Sequence, residues 1–245
     1  MQANALGTEV PLSKVKNTSQ PPLIAHILYR FAVGGLENGV VNLINRIPES
    51  QYRHVIISLT DATDFKNRIT CDDVVIYCLN KKPGHDLGLY FRLWKLLRQL
   101  KPDITHTRNL AALEMVVIAM LAGVKHRVHS EHGWGMSDLH GANRKYQILR
   151  YCMSKLSHSY IGLSKHIVSY LHDSVGIPNE KLTQIYNGVD ADKFTDAQAE
   201  VVAPQLPENF KDDVIIIGTV GRMEAVKAQT NLAEAFFLLF ECEKF

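Results

Sequence analysis

Leu23-Ile24-Ala25-His26-Ile27-Leu28-Tyr29-Arg30-Phe31-Ala32-Val33-Gly34-Gly35-Leu36-Glu37-Asn38-Gly39 is the stretch from which the fold can be read. Leu23–Tyr29 is a short apolar run without strict in-out alternation, as expected of a strand buried on both faces of a parallel sheet. Two glycines follow at a turn. Leu36, Val40, Leu43, Ile44 and Ile47 then recur at helical spacing, so the chain leaves the turn as an amphipathic helix. The unit is strand, glycine loop, helix.

The unit repeats outward from there. His54–Leu59, Val74–Leu79, Asp103–Thr107, His126–Ser130 and Tyr160–Leu163 read as further strands. Leu89, Leu93, Leu96, Leu97 and Leu100 mark a second helix that ends before Pro102, and Leu110–Ala122 a third, with Gly123 just past its end. Alternating strands and helices imply right-handed crossovers and an α/β fold with a doubly wound parallel sheet.

Residues 1–22 are polar, end in Pro-Pro and read as a disordered leader, so the first domain is expected over 23–194. The stretch 195–213 holds prolines and small or charged residues without apolar periodicity and reads as a linker. Over 214–245 the pattern restarts, with a strand expected at Val214–Val220 and a helix at Val226–Glu241. A second doubly wound domain needs roughly 100 to 200 residues, so the second one is expected to be truncated here.

Bulk composition narrows the function classes. Of 245 residues, 46% are hydrophobic and 21% charged, and 27 basic against 25 acidic residues leave a net charge of +2. No basic stripe with interleaved aromatics speaks for nucleic acid. Cys71, Cys78, Cys152 and Cys242 show no metal-ligand spacing and read as reduced thiols of a cytoplasmic protein. No apolar run is long enough to span a bilayer. Arg144, Lys145, Arg150 and Lys155 lie among apolar residues of Asn143–Ser157. That helix is either core-facing with solvated cations or a peripheral contact for the inner membrane face.

Several residues carry candidate chemistry. Gly34 and Gly35 open a helix whose free amides favour an anion, or they serve a turn that needs positive φ. The loop lacks the Gly-x-Gly-x-x-Gly spacing, which speaks against a dinucleotide-dependent oxidoreductase. His106, His129 and His132 sit at or just beyond the carboxyl ends of strands, where open α/β sheets bind ligands; each is either a satisfied structural residue or a contact. His132, followed by Gly133, is placed to donate to a sugar hydroxyl or to stabilise developing charge. Ser164 and Asn187-Gly188-Val189-Asp190 follow later strands, and Asp190-Ala191-Asp192 lies in a turn, where metal binding is not expected. Arg222 and Lys227, beyond Gly221, are either a solvated pair or a grip for a diphosphate.

In order and spacing these blocks resemble glycosyltransferase family 4, retaining enzymes of the GT-B fold with two facing Rossmann-like domains. The matching pieces are Gly34–Glu37, Leu100–His106, Glu131–Gly133, Ser164, Asn187–Asp190 with Phe194, and Gly221-Arg222 with Lys227. A closer similarity, to bacterial sugar transferases of exopolysaccharide systems, rests on Glu131–Tyr146 and Gly221–Lys227. The resemblance implies an acceptor-side domain whose cleft is lined by Gly34, Gly35, Glu37 and His132, with His106 and Asn187 as further cleft candidates. It implies a donor side on which Arg222 and Lys227 hold the diphosphate of a nucleotide sugar. No cofactor or divalent metal is implied, and the acceptor is expected to be a glycan or a lipid-linked glycan. The family's paired glutamates lie beyond Lys227; Glu234 and Glu241 have the wrong spacing. The alternative is a non-catalytic acceptor-binding or assembly module of the same ancestry.

Overall fold

A computed structural model of the chain describes residues 20–133, 138, 141–189, 217–221, 223 and 227–242. It divides into two units, Met1–Val189 and Asp190–Phe245. In the first, seven parallel strands form one sheet. They are β1 (Leu23–Leu28), β2 (Arg53–Ser58), β3 (Val75–Cys78), β4 (Ile104–Arg108), β5 (His126–Glu131), β6 (Ser159–Gly162) and β7 (Leu182–Gln184). Their order is β3-β2-β1-β4-β5-β6-β7. The expected doubly wound sheet is present, with β7 as an additional edge strand.

Connection length and apolar periodicity place the helices. Helix α1 (Gly35–Arg46) joins β1 to β2 and buries Val40, Val41 and Ile44. With Leu28, Phe31, Ile56 and Phe65 these form the core on one face of the sheet. Helix α2 (Leu87–Leu100) begins at Asp86, whose carboxylate accepts from the Leu89 amide, and ends at Lys101 in a left-handed conformation. The expected helix Leu110–Ala122 is instead broken at Glu114 into α3 (Leu110–Leu113) and α4 (Met115–Leu121). Leu89, Leu93, Leu97, Met115 and Ala119 pack with Ala25, Ile27, Val55 and Ile57 on the opposite face. Gly123 stands past α4 with φ 82°, as its position predicts.

Helix α5 (Arg144–Leu156) precedes β6, and α6 (Lys165–Ser169) runs on into a π turn at Tyr170–Ser174. Leu113, Tyr160, Ile167, Leu171 and Ile177 form a third cluster between them. Ser164, a candidate site residue, caps α6 by accepting from the Ile167 amide at 3.2 Å.

The second unit holds α7 (Gln229–Cys242). Ile217–Val220, part of the expected strand Val214–Val220, has no strand pairing, and Ile217 and Val220 are exposed. Residues 1–19, the linker 195–213, Asp190, Asp192 and Phe194 lie outside the described residues.

Candidate functional site

The sheet reverses its winding between β1 and β4, which are neighbours although three connections separate them in sequence. The chain leaves β1 into α1 on one face and leaves β4 into α3. This divergence opens a crevice at the carboxyl ends of the strands, the place where open α/β sheets receive ligands. The loop before α1, the β4–α3 junction and the end of β5 all converge there.

Gly34 is the N-cap of α1, with φ −173° and ψ 161°. Its backbone is extended, so the positive-φ explanation for the glycine does not apply. What it needs is space: a Cβ at Gly34 would collide with Oε2 of Glu37, whereas one at Gly35 would meet nothing within 4 Å. The Glu37 carboxylate therefore folds back over Gly34 at the positive end of the helix, where an anion is favoured.

Glu37 also acts electrostatically on Arg108. Arg108 is the last residue of β4 and is buried. Its Nη2 donates to His106 Nδ1 at 3.1 Å, and its Nη1 lies 3.4 Å from the His106 carbonyl. Burial lowers its pKa to about 9, while Glu37 raises it, so the guanidinium is charged at neutral pH. His106 lies inside the strand rather than at its end, because β4 continues to Arg108. A buried cation at the carboxyl edge of a sheet is costly without partners.

From His106 the polar contacts continue across the sheet. His106 Nε2 is 2.9 Å from Ser130 Oγ, and the same Oγ is 2.8 Å from His132 Nε2. Asn109, at a positive φ of 57° with ψ 168°, accepts from the His132 amide through Oδ1 at 2.7 Å. Its own amide donates to the Ser130 carbonyl at 2.8 Å. A strained backbone at Asn109 thus fixes the exit of the chain from β5. His132 is half-buried and its Nδ1 has no hydrogen-bond partner of good geometry, although the Asn187 side chain is close enough to act on the ring. Asn187 itself is exposed, with Oδ1 near Gly39 of α1.

Two more histidines extend the row. His26 is in register with His106 on the neighbouring strand, and its ring lies 6.1 Å from that of His106. His26 Nε2 is 3.0 Å from His54 Nδ1 on β2. Burial is the main cause that lowers the pKa of His26, His54, His106 and His132, the last to about 4, and the charge of Arg108 is second for each. One fixed cation and a dry environment keep four imidazoles neutral.

His129 belongs to the other face of the sheet. It bonds Thr107 Oγ1 at 2.8 Å, and Nε2 lies 3.5 Å from Glu131 Oε1. Glu131 pairs with Arg150 Nε at 2.8 Å, and Arg150 Nη1 pairs with Asp138 at 2.7 Å and with the Tyr170 hydroxyl at 3.2 Å. Arg150, one of the four cations expected to give α5 a solvated or membrane-facing basic surface, is only 2% exposed. Carboxylates on β5 and at Asp138 draw it inward, so its charge is not available to a lipid headgroup.

The structure therefore brings Gly34, Glu37, His106, His132 and Asn187 to one edge. Arg108, Ser130, Asn109, His26 and His54 were not legible as site residues from the sequence. An arginine at the carboxyl end of a strand, two residues beyond a histidine in Ile104-Thr105-His106-Thr107-Arg108, is the signal that could have pointed to them. Arg222 lies outside the described residues, and Lys227 is exposed in the second unit. Among the described residues no group of three His, Cys, Asp or Glu side chains is arranged to hold a metal. A small cavity of about 140 Å³, lined in part by Lys81, His85, Asp86, Tyr90 and Glu114, contains none of these site residues.

The profile of Glycosyltransferase Family 4 matches residues 33–193, which contain every site residue of the first unit except His26. The chain belongs to this family. Its fold is that of solved glycosyltransferases. A glycosyltransferase from Rickettsia africae is 18% identical with a TM-score of 0.61, over 77% of this chain and 51% of that one. Anabaena HepE, solved with UDP-glucose, is 15% identical with a TM-score of 0.57, over 75% of this chain and 49% of that one. The chain thus spans about half the length of these structures. A comparison with curated protein sequences finds no significant match. Among the described residues no helix is long and apolar enough to cross a membrane.

Proposed function

We propose that this family-4 chain provides the acceptor-binding side of a sugar transfer from a nucleoside-diphosphate hexose to a glycan or lipid-linked glycan, in polysaccharide synthesis. The observation that carries the reading is His132, held at the crevice with Nδ1 unpartnered beside Asn187. A neutral imidazole there offers a hydrogen bond to an uncharged sugar oxygen. Glu37 already occupies the positive end of α1, so the Gly34–Gly35 loop suits a hydroxyl donor from the acceptor better than a second anion.

The donor side is assigned to Arg222 and Lys227. Their charges would oppose the negative charge that builds on the departing nucleoside diphosphate, an electrostatic role that requires no metal. Retention of anomeric configuration follows from the family resemblance. HepE was crystallised with UDP-glucose, which makes a UDP-hexose the first donor to try.

The test is transfer of labelled sugar from UDP- and GDP-hexoses to free and polyprenyl-linked oligosaccharides. Arg222→Ala and Lys227→Ala are expected to lose most turnover while the fold survives; near-normal turnover in both overturns the diphosphate role. A non-catalytic acceptor-binding module of the same ancestry is the second reading, since Gly34, Glu37, His106, His132 and Asn187 all lie within the first unit. Saturable glycan binding without transfer, even with a donor-side domain supplied, would select it.

A further inference from the structure

Hydrogen bonds among neutral imidazoles and hydroxyls usually have no readable direction, because each partner can donate or accept. Here one end is fixed. A guanidinium has donors only, and Arg108 directs Nη2 at His106 Nδ1. His106 must therefore accept at Nδ1, which places its single proton on Nε2. That Nε2–H faces Ser130 Oγ at 2.9 Å and donates to it. The one hydroxyl proton of Ser130 is then free for its other neighbour, His132 Nε2 at 2.8 Å. His132 accepts at Nε2 and, being neutral, carries its proton on Nδ1.

We propose that Arg108, His106 and Ser130 form a directional relay that holds His132 as the Nδ1–H tautomer, so that His132 meets its ligand as a donor to an oxygen lone pair and not as a base. The ligand atom it selects is a sugar hydroxyl or ether oxygen; this identification rests on the function proposed above, whereas the relay itself does not. Three features of the site fit. Nδ1 is the buried ring nitrogen left without a partner. Asn187, exposed beside it, offers an amide oxygen that an incoming ligand oxygen can replace. Asn109 fixes the His132 backbone at 2.7 Å, so the ring is held from two sides. Protonating His132 would put an N–H on Nε2 against the hydroxyl that now donates to it, and the buried Arg108 charge opposes that step as well.

Arg108, His106 and Ser130 are positioning residues in this scheme, and the tautomer is a readout that a merely structural role would not move. The experiment is long-range proton–nitrogen NMR of the whole chain with ¹⁵N-histidine, without sugar, near neutral pH, with the His132 signals assigned by their loss in His132→Asn. The expected result is a protonated Nδ1 and a bare Nε2 on His132, with the reverse on His106. Ser130→Ala is expected to move the His132 proton to Nε2, the form free imidazoles favour, and Ser130→Thr to restore it. His106→Gln, whose amide nitrogen reaches the same place, keeps the His132 tautomer, while His106→Leu releases it. A protonated Nε2 on wild-type His132, or a tautomer indifferent to both Ser130→Ala and His106→Leu, overturns the relay. Absence of sugar transfer would overturn the proposed function and leave the relay standing.

Discussion

Arg150 Nε lies 2.8 Å from Glu131 Oε1, a buried ion pair that joins α5 to the last residue of β5, directly before His132. Asp138 takes a second guanidinium nitrogen at 2.7 Å. The pair anchors the point at which the chain turns into the site.

Replacing Arg150 with methionine keeps much of its volume but leaves two buried carboxylates without their cation. Breaking a buried pair from one side costs about 3–5 kcal/mol. Urea unfolding of Arg150→Met is expected to show a loss of that size, and Glu131→Gln with Asp138→Asn added to it should recover part of the loss. A surface basic face on α5 would instead predict a change near zero.

Stability is expected to fall as pH drops from about 6.5 towards about 4. His26, His54, His106 and His132 all have folded pKa values below their unfolded ones, His132 at about 4. Between those limits the unfolded chain binds more protons than the folded one. The contribution is complete above pH 6.5 and is lost on acidification, with a slope of up to about 1.4 kcal/mol per pH unit for each histidine. Urea midpoints across this range check it, and Arg108→Met should flatten the slope because the cation opposes each protonation.

Much of the fold was legible because hydrophobic burial acts on short stretches. Leu23–Tyr29 and His54–Leu59 name strands by composition alone, and Leu36, Val40 and Ile44 name a helix by spacing. The site was less legible because it is assembled by register. Nothing local in His26, His106 or Ser130 says that β1, β4 and β5 set them side by side; that follows from crossovers tens of residues long. Arg150 misleads for the same reason: its charge is local, but Glu131 and Asp138, which claim it, lie 19 and 12 residues away. The glycine at 34 was visible, but its cause was not, since a side chain three positions on fills the space above it.

That cause is testable by a double-mutant cycle. Gly34→Ala places a methyl group where the Glu37 carboxylate rests, so the carboxylate must leave the α1 N-terminus. The loss is expected to be about 1 kcal/mol, the scale of a helix cap. In a Glu37→Ala background the same Gly34→Ala should cost close to nothing, because the extended backbone accepts alanine freely. Additive losses in the thermal or urea midpoints of the three variants would mean that Gly34 serves something other than Glu37.

Substitutions at His132 separate a donor from a base. An asparagine side chain ends near the place of the imidazole Nδ1, whereas a glutamine reaches the place of Nε2. If His132 acts through an Nδ1–H to a sugar oxygen, His132→Asn keeps a donor where it is used and His132→Gln does not. Loss of one catalytic hydrogen-bond donor typically costs about 10²–10³-fold in kcat. His132→Gln and His132→Ala are expected to approach that loss in sugar transfer, with His132→Asn retaining at least about tenfold more activity than either. A base at Nε2 predicts instead that all three fall together and that the wild-type rate declines with the protonation of one imidazole as pH is lowered. The donor reading predicts a rate flat with pH until the fold itself begins to loosen, since His132 stays neutral down to about 4.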